Sequence, residues 1–128
     1  MNPCDCGSGA DFAACCGAIL SGRSEASGPE ALMRSRYTAY RRHDFDYLVR
    51  STDPERRAKI DHDANREWAL EAKFLKLEIL DSSEQGTRGE VEFKATFESK
   101  GLVQVHHEHS VFRRLNRRWY FREGTPVD

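Results

Sequence analysis

Residues 90–98, EVEFKATFE, alternate polar and apolar side chains without a break. Val91, Phe93, Ala95 and Phe97 fall on one face, and the charged residues and Thr96 fall on the other. A period of two marks a strand with one buried and one wet face. The neighbouring stretches carry related patterns. FLKLEIL (74–80) alternates through Leu75, Leu77 and Ile79, LVQVHHEHSVFRRL (102–115) supplies a long third strand, and WYFRE (119–123) a fourth. The connectors DSSEQGTRG, SKG and NRR consist largely of turn formers. Consecutive strands are therefore expected to pair antiparallel, as a four-stranded meander.

Upstream of the strands the period lengthens to that of a helix. In SGPEALMRSRYTAYRRHD, Ser27 and Glu30 stand at capping-box spacing and Pro29 suits a first helical position. Leu32, Met33, Tyr37 and Tyr40 make one apolar face up to about His43, with Arg34, Arg41 and Arg42 on the other side. DFDYLVRS reads as a short helix with Phe45, Leu48 and Val49 inward. Asp53 before Pro54 repeats a start signal, and NREWALE gives a third helix that buries Trp68. Helices followed by a meander define an α+β domain with the helices on one sheet face, expected over residues 28–128. AILSGRSEASG (18–28) reads as a linker whose Ala18, Ile19 and Leu20 pack the N-terminus onto this body.

All four cysteines lie within CDCGSGADFAACCG, residues 4–17. Four thiolates close one tetrahedral zinc site and leave no position open for substrate. Gly7 and Gly9 allow a tight turn after the first pair, so that backbone N–H groups face sulfur. Cys4, Cys6, Cys15 and Cys16 are the expected ligands of one structural Zn2+, in a knuckle over residues 1–20. Disulfides between adjacent cysteines or cysteines one residue apart are strained, although a cross-pairing such as Cys4 with Cys15 stays open. A redox thiol is the third reading, but the near charges, Asp5 and Asp11, would raise a thiol pKa.

Composition narrows the function classes. Hydrophobic residues are 38% and charged residues 32%, and the apolar positions are periodic, which indicates a globular chain. A net charge of −1 argues against a protein that coats nucleic acid. No apolar run approaches the roughly 20 residues of a membrane-spanning helix. MNPCDCGSG lacks the basic start and apolar stretch of a secretory signal, so the expected compartment is the cytoplasm, where thiols stay reduced.

CDCGSGADFAACCG resembles the SEC-C motif, a short zinc-binding module found at the C-terminus of the SecA translocation ATPase and in many bacterial proteins. The resemblance makes Cys4, Cys6, Cys15 and Cys16 the metal ligands, with Cys16 where some members have His. Asp5 stands where proline is usual, and ADFAA lacks the lysines that many members carry there. Those lysines are the contacts that acidic or ribosomal partners of the motif would use. Taken with EALMRSRYTAY and HEHSVFRRLNRRWYFREG, the whole chain resembles the YchJ-like family of small bacterial proteins. That resemblance implies the cone of the nuclear-transport-factor-two-like (NTF2-like, cystatin-like) superfold behind the knuckle.

HHEHS (106–110) is the one cluster suited to catalysis or ligand binding on the main domain. Parity counted from Val103 and Val105 turns His107 and His109 inward, while Phe112 has the opposite parity, which a bulge near 106–110 would reconcile. The candidate pocket is therefore lined by Tyr37, Tyr40, Trp68, Phe93, His107 and His109, with His107 as its main polar group. Histidines on a sheet are more often hydrogen-bonded packing elements than general bases, so no catalytic residue is assigned. Arg34 and Arg36 among the tyrosines read as the wet side of an amphipathic helix, not a nucleic-acid contact, and RRLNRR as a solvated hairpin end. The composite reading is a zinc-binding interaction protein, with the knuckle structural or recruiting a protein partner. One alternative is a small-molecule-binding protein or enzyme using the cone. The other is an accessory factor linked to the ribosome or to translocation.

Overall fold

The computed structural model describes residues 2–128. Four helices, α1 (Cys16–Leu20), α2 (Pro29–Arg42), α3 (Phe45–Arg50) and α4 (His62–Glu71), precede four strands, β1 (Lys73–Gln85), β2 (Arg88–Ser99), β3 (Leu102–Leu115) and β4 (Arg118–Pro126). The strands form one antiparallel sheet in the order β1-β2-β3-β4. This is the expected α+β meander with its helices on one face. Among the described residues no helix is long and apolar enough to cross a membrane.

The alternation that opens β2 is realised along its length: Val91, Phe93, Ala95 and Phe97 are all buried. They meet Leu32, Met33 and Tyr37 of α2, together with Leu48, Phe74, Leu77, Phe112 and Trp119, in one core. Burying each large apolar side chain of this set contributes about 1.5–3 kcal/mol. The β3–β4 turn places both Asn116 (φ 51°) and Arg117 (φ 68°) in the left-handed region, the backbone of a two-residue hairpin whose twist suits its strands.

Several local expectations are corrected. β1 carries two register shifts, at Leu75 and at Leu80, so Phe74 replaces Leu75 in the core and both leucines are exposed. The N-cap of α2 is Gly28, with no side-chain cap, and Glu30 pairs instead with Arg34 and Ser82. In α3, Tyr47 is buried and Val49 turns to solvent. Trp68 is 38% exposed, on the rim of the helical layer.

Asp53 caps no helix. Its carboxylate is completely buried and takes hydrogen bonds from Arg113 (2.7 Å) and Arg122 (2.8 Å), while its N–H donates to Phe121 O (2.7 Å). Burial opposes the charge, but the Glu55 N–H and the two guanidiniums outweigh it and hold the carboxyl below its usual range. Two partly exposed cations thus bind the loop after α3 to the far end of the sheet.

Candidate functional site

The knuckle is built by backbone turns that gather sulfur. Gly7 (φ 80°) and Gly9 (φ 86°) are left-handed, Gly7 N–H donates to Cys4 O, and Cys4 N–H donates to Ala10 O. A short 3-10 turn (Phe12–Ala14) then delivers Cys15 and Cys16 at the start of α1. All four sulfurs lie within 4.8 Å of one another, and all four are free thiols. Cys6 and Cys15 are 3.7 Å apart. A tetrahedron with metal–sulfur bonds of 2.3 Å has edges of about 3.8 Å, so the spacing fits a four-sulfur metal site.

Charge supports the same fit. The Cys16 thiol, donating a hydrogen bond to Cys6, holds the Cys6 pKa down to about 4; that hydrogen bond raises Cys16, and burial raises Cys15. Without a cation, one sulfur takes the charge at the expense of its neighbours, whereas a dication lets four thiolates coexist. Thr38 Oγ1 is buried with no conventional hydrogen-bond partner, and it lies beside Cys16, whose thiolate it favours. Such outer donors are the usual complement of metal-bound sulfur.

α2 serves two clients. On one side Arg34 Nη1 donates to Cys6 O (2.7 Å), and Arg42 pairs with Asp5 (2.8 Å) and lies 3.6 Å from the Phe12 ring centroid. On the other side Met33, Arg36, Tyr37 and Tyr40 line a cavity of about 290 Å³ between the helices and the sheet. The helical period of 3.6 residues separates these two sets.

Tyr40, Trp68, Phe74 and Phe97 form the aromatic wall of the cavity, with Trp68 edge-on to the other three at 5.3–6.2 Å. Tyr37 and Phe93 also line it, so four of the six expected pocket residues are in place. His107 and His109 are not. His107 bonds Glu92 (2.7 Å) and His109 bonds Glu90 (2.7 Å), on the outer face of the sheet. The reason is parity. Val103 and Val105, from which the inward face was counted, are 65% and 58% exposed. The β2–β3 pairing runs unbroken from Ser99↔Leu102 to Arg88↔Arg113, with no bulge at 106–110. Phe112 therefore sets the inner face, and His106, Glu108 and Ser110 share it.

These residues place a charged group on the sheet side of the cone. His106 Nε2 meets Glu108 Oε1 at 2.9 Å, and Ser110 Oγ donates to Glu108 Oε2 at 2.5 Å. Burial disfavours the Glu108 charge, yet the bonds from His106 and Ser110 and the field of Arg36 hold its pKa below the usual value. The Glu108 bond in turn raises the pKa of His106 against the effect of burial. The Glu108 carboxylate lies so close to Gly124 of β4 that any β-carbon there would collide with it.

Arg36, expected to face solvent, is 7% exposed and lines the same cavity. Its Nη1 donates to Leu48 O (3.0 Å), Ser51 Oγ (2.7 Å) and Thr52 Oγ1 (3.4 Å), at the end of α3, and its guanidinium lies 4.5 Å from the Phe121 ring centroid. Tyr40 donates to Asn65 Oδ1 (3.2 Å) across the mouth. Sequence reading missed Arg36, Asn65, His106, Glu108 and Gly124. Ala95 and Phe93 stand opposite His106 and Glu108. Counting pairs back from the short SKG turn therefore puts both on the buried face.

A fold of this kind, helices over a meander with a cysteine knuckle in front, defines an NTF2-like domain with an N-terminal SEC-C motif. The chain belongs to the YchJ-like, UPF0225 family: the family description "YchJ, middle NTF2-like domain" matches residues 28–124. A UPF0225 protein from Geobacter sulfurreducens is 41% identical over 98% of this chain and 80% of its own length. The solution structure of a SEC-C motif containing protein from Rhodopseudomonas palustris is 56% identical, with a TM-score of 0.92 over the whole of both chains. A SEC-C motif containing protein from Psychrobacter arcticus is 28% identical, with a TM-score of 0.82 over 98% of this chain and 82% of its own.

Proposed function

We propose that this protein is a zinc-stabilised binding protein whose ligand is a small molecule held in the cone. The observation that carries the reading is the cavity of about 290 Å³, with aromatic walls and the convergent polar groups of Arg36, Tyr40, His106 and Glu108. Concave apolar sites with a few placed polar groups are where small ligands bind. Zinc is the ion that four thiolates in this spacing suit, because a closed four-sulfur tetrahedron is its structural site. Its role is to fix the knuckle against α2, the helix that also supplies one wall of the cone. When bound, the ion supplies charge neutralisation for four thiolates; Cys4, Cys6, Cys15 and Cys16 hold it, and Arg34, Thr38 and Arg42 seat the loop. Binding requires no reaction, and none forms part of the proposal.

Elemental analysis of reduced protein should give about one zinc per chain, as a single four-sulfur site demands. Native mass spectrometry of gently purified material should show a small-molecule adduct that Trp68→Ala weakens. Metal-free protein with fully reactive thiols, or a cavity indifferent to every small molecule screened, would defeat the respective halves of the reading.

A further inference from the structure

Arg36 is a buried cation with no carboxylate in contact among the described residues; Glu108 acts on it only through its field. The acceptors of its Nη1 are a backbone carbonyl and two hydroxyls, all neutral. Among the described residues it forms no ion pair, because the nearby Glu108 carboxylate is taken by His106 and Ser110. A buried charge is normally paired, since desolvation without a partner is costly. Burial accordingly works against the Arg36 charge and lowers its pKa.

The guanidinium is also held in place. Nη1 is fixed on the end of α3, one face lies against Phe121, and the Nε–Nη2 edge meets no carboxylate among the described residues, the neutral Tyr40 hydroxyl being the guanidinium's further hydrogen-bonding neighbour. That edge carries two parallel N–H donors, the geometry that takes a carboxylate bidentately. The cavity sets the size of the rest. An apolar cavity of about 150 Å³ holds benzene; one of about 290 Å³ has room for a single ring and a short substituent. The wall that such a ring would meet is aromatic, with Trp68 edge-on to Phe74 and to Phe97. The guanidinium, held at Nη1 on neutral acceptors, is the positive group of the cone that a ligand carboxylate would meet.

We infer that the ligand of the cone is a small monocarboxylate with a ring-sized apolar body, its carboxylate seated on the Nε–Nη2 edge of Arg36 and its ring against Trp68. This rests on the proposal that the cone is a binding site, and it adds the chemical class of the ligand.

The test uses full-length, metal-loaded, isotope-labelled protein titrated with benzoate and with benzamide, its neutral isostere. The readouts are the Trp68 indole N–H and the Arg36 Nε–H resonances. Saturable shifts at both sites are expected with benzoate, with an affinity about tenfold or more above that of benzamide, the yield of one charge-assisted contact. Arg36→Met keeps the side-chain length and should remove that preference while benzamide still shifts Trp68. If Arg36→Met does not fold, since it gives up the bonds to α3, the wild-type comparison decides alone. Equal affinity for the two probes would overturn the monocarboxylate assignment and leave the binding site standing. Trp68 indifferent to both probes would overturn the assignment together with the site.

Discussion

Removing the metal should release the knuckle and leave the sheet folded. The knuckle has a small core of its own, Cys4, Cys6 and Cys16 with Phe12, separate from the main core. Its strongest ties to α2, besides Thr38 beside Cys16, are the Arg34 bond to Cys6 O, the Arg42–Asp5 pair and the Arg42–Phe12 contact. A charged hydrogen bond is worth about 1.5–3 kcal/mol, an exposed ion pair about 0.5, and an exposed cation–π contact about 0.5–1. Their loss costs the main domain about 3 kcal/mol, less than the 5–15 kcal/mol by which domains are usually stable. At about 4–8 °C per kcal/mol, Tm should fall by on the order of 10–20 °C in one cooperative step. Ile19 and Leu20 should stay docked, because both pack on the main core and Arg50 donates to Leu20 O at 2.6 Å. The assay is an amide correlation spectrum before and after chelation, repeated with Cys6→Ser. Resonances of residues 2–16 should collapse to random-coil positions while those of β1 to β4 keep their dispersion. Loss of strand dispersion would show that the metal holds the whole fold together and would refute the separation of the two cores.

Asp53→Asn should cost about 2–3 kcal/mol in urea unfolding, since it removes the buried charge and puts an amide N–H donor where one of the two oxygens accepts from Arg113 or Arg122, both partly exposed; a loss under about 0.5 kcal/mol would mean the pair is idle. Phe112→Ala empties the most completely buried large side chain and should cost about 3–5 kcal/mol; a cost near that of a surface change would show the inner parity of β3 to be wrong. The His106 pKa should sit above its usual 6.5 and drop in Glu108→Gln, read from imidazole resonances. The raised His106 stabilises the fold fully below its unfolded pKa, and that contribution fades as pH rises through the folded value. The lowered Glu108 contributes above its unfolded pKa and fades as pH falls through the folded value, so the pair is strongest at mildly acidic pH. A His106 pKa unmoved by Glu108→Gln would remove that pair from the account.

Much of this was readable in the residues because the physics was local. The clean alternation of β2 needs only one buried face, and the phase of Leu32, Met33, Tyr37 and Tyr40 needs only a helix, so both survived into the structure. The cysteine spacing was readable because four sulfurs in fourteen positions leave few alternatives. What failed depended on distant partners. Val103 and Val105 look like core residues, but they stand opposite Glu98 and Thr96 on the outer face of the sheet, and counting inward from them inverted the histidine assignment. The register shifts at Leu75 and Leu80 leave no mark in an otherwise apolar run. Arg36 carries the chemistry of a surface residue, and only the end of α3, a separate helix, gives its Nη1 acceptors. Asp53 had the local look of a cap because the two arginines that bury it lie sixty or more positions downstream.

The double duty of α2 limits how the chain can change its length. Each added residue turns everything beyond it by about 100°. A single insertion between Arg34 and Arg36 would swing Arg36, Tyr37 and Tyr40 out of the cone and, in the same stroke, move Thr38 and Arg42 off the knuckle. Among the described residues no other helix lines the cone and seats the knuckle as well. Gains and losses of residues are tolerable in the stretch from Ser21 to Gly28, where phase is not transmitted, but not at Asp53, which is pinned to the sheet. Within Pro29–Arg42 the tolerable changes are substitutions, one side chain at a time.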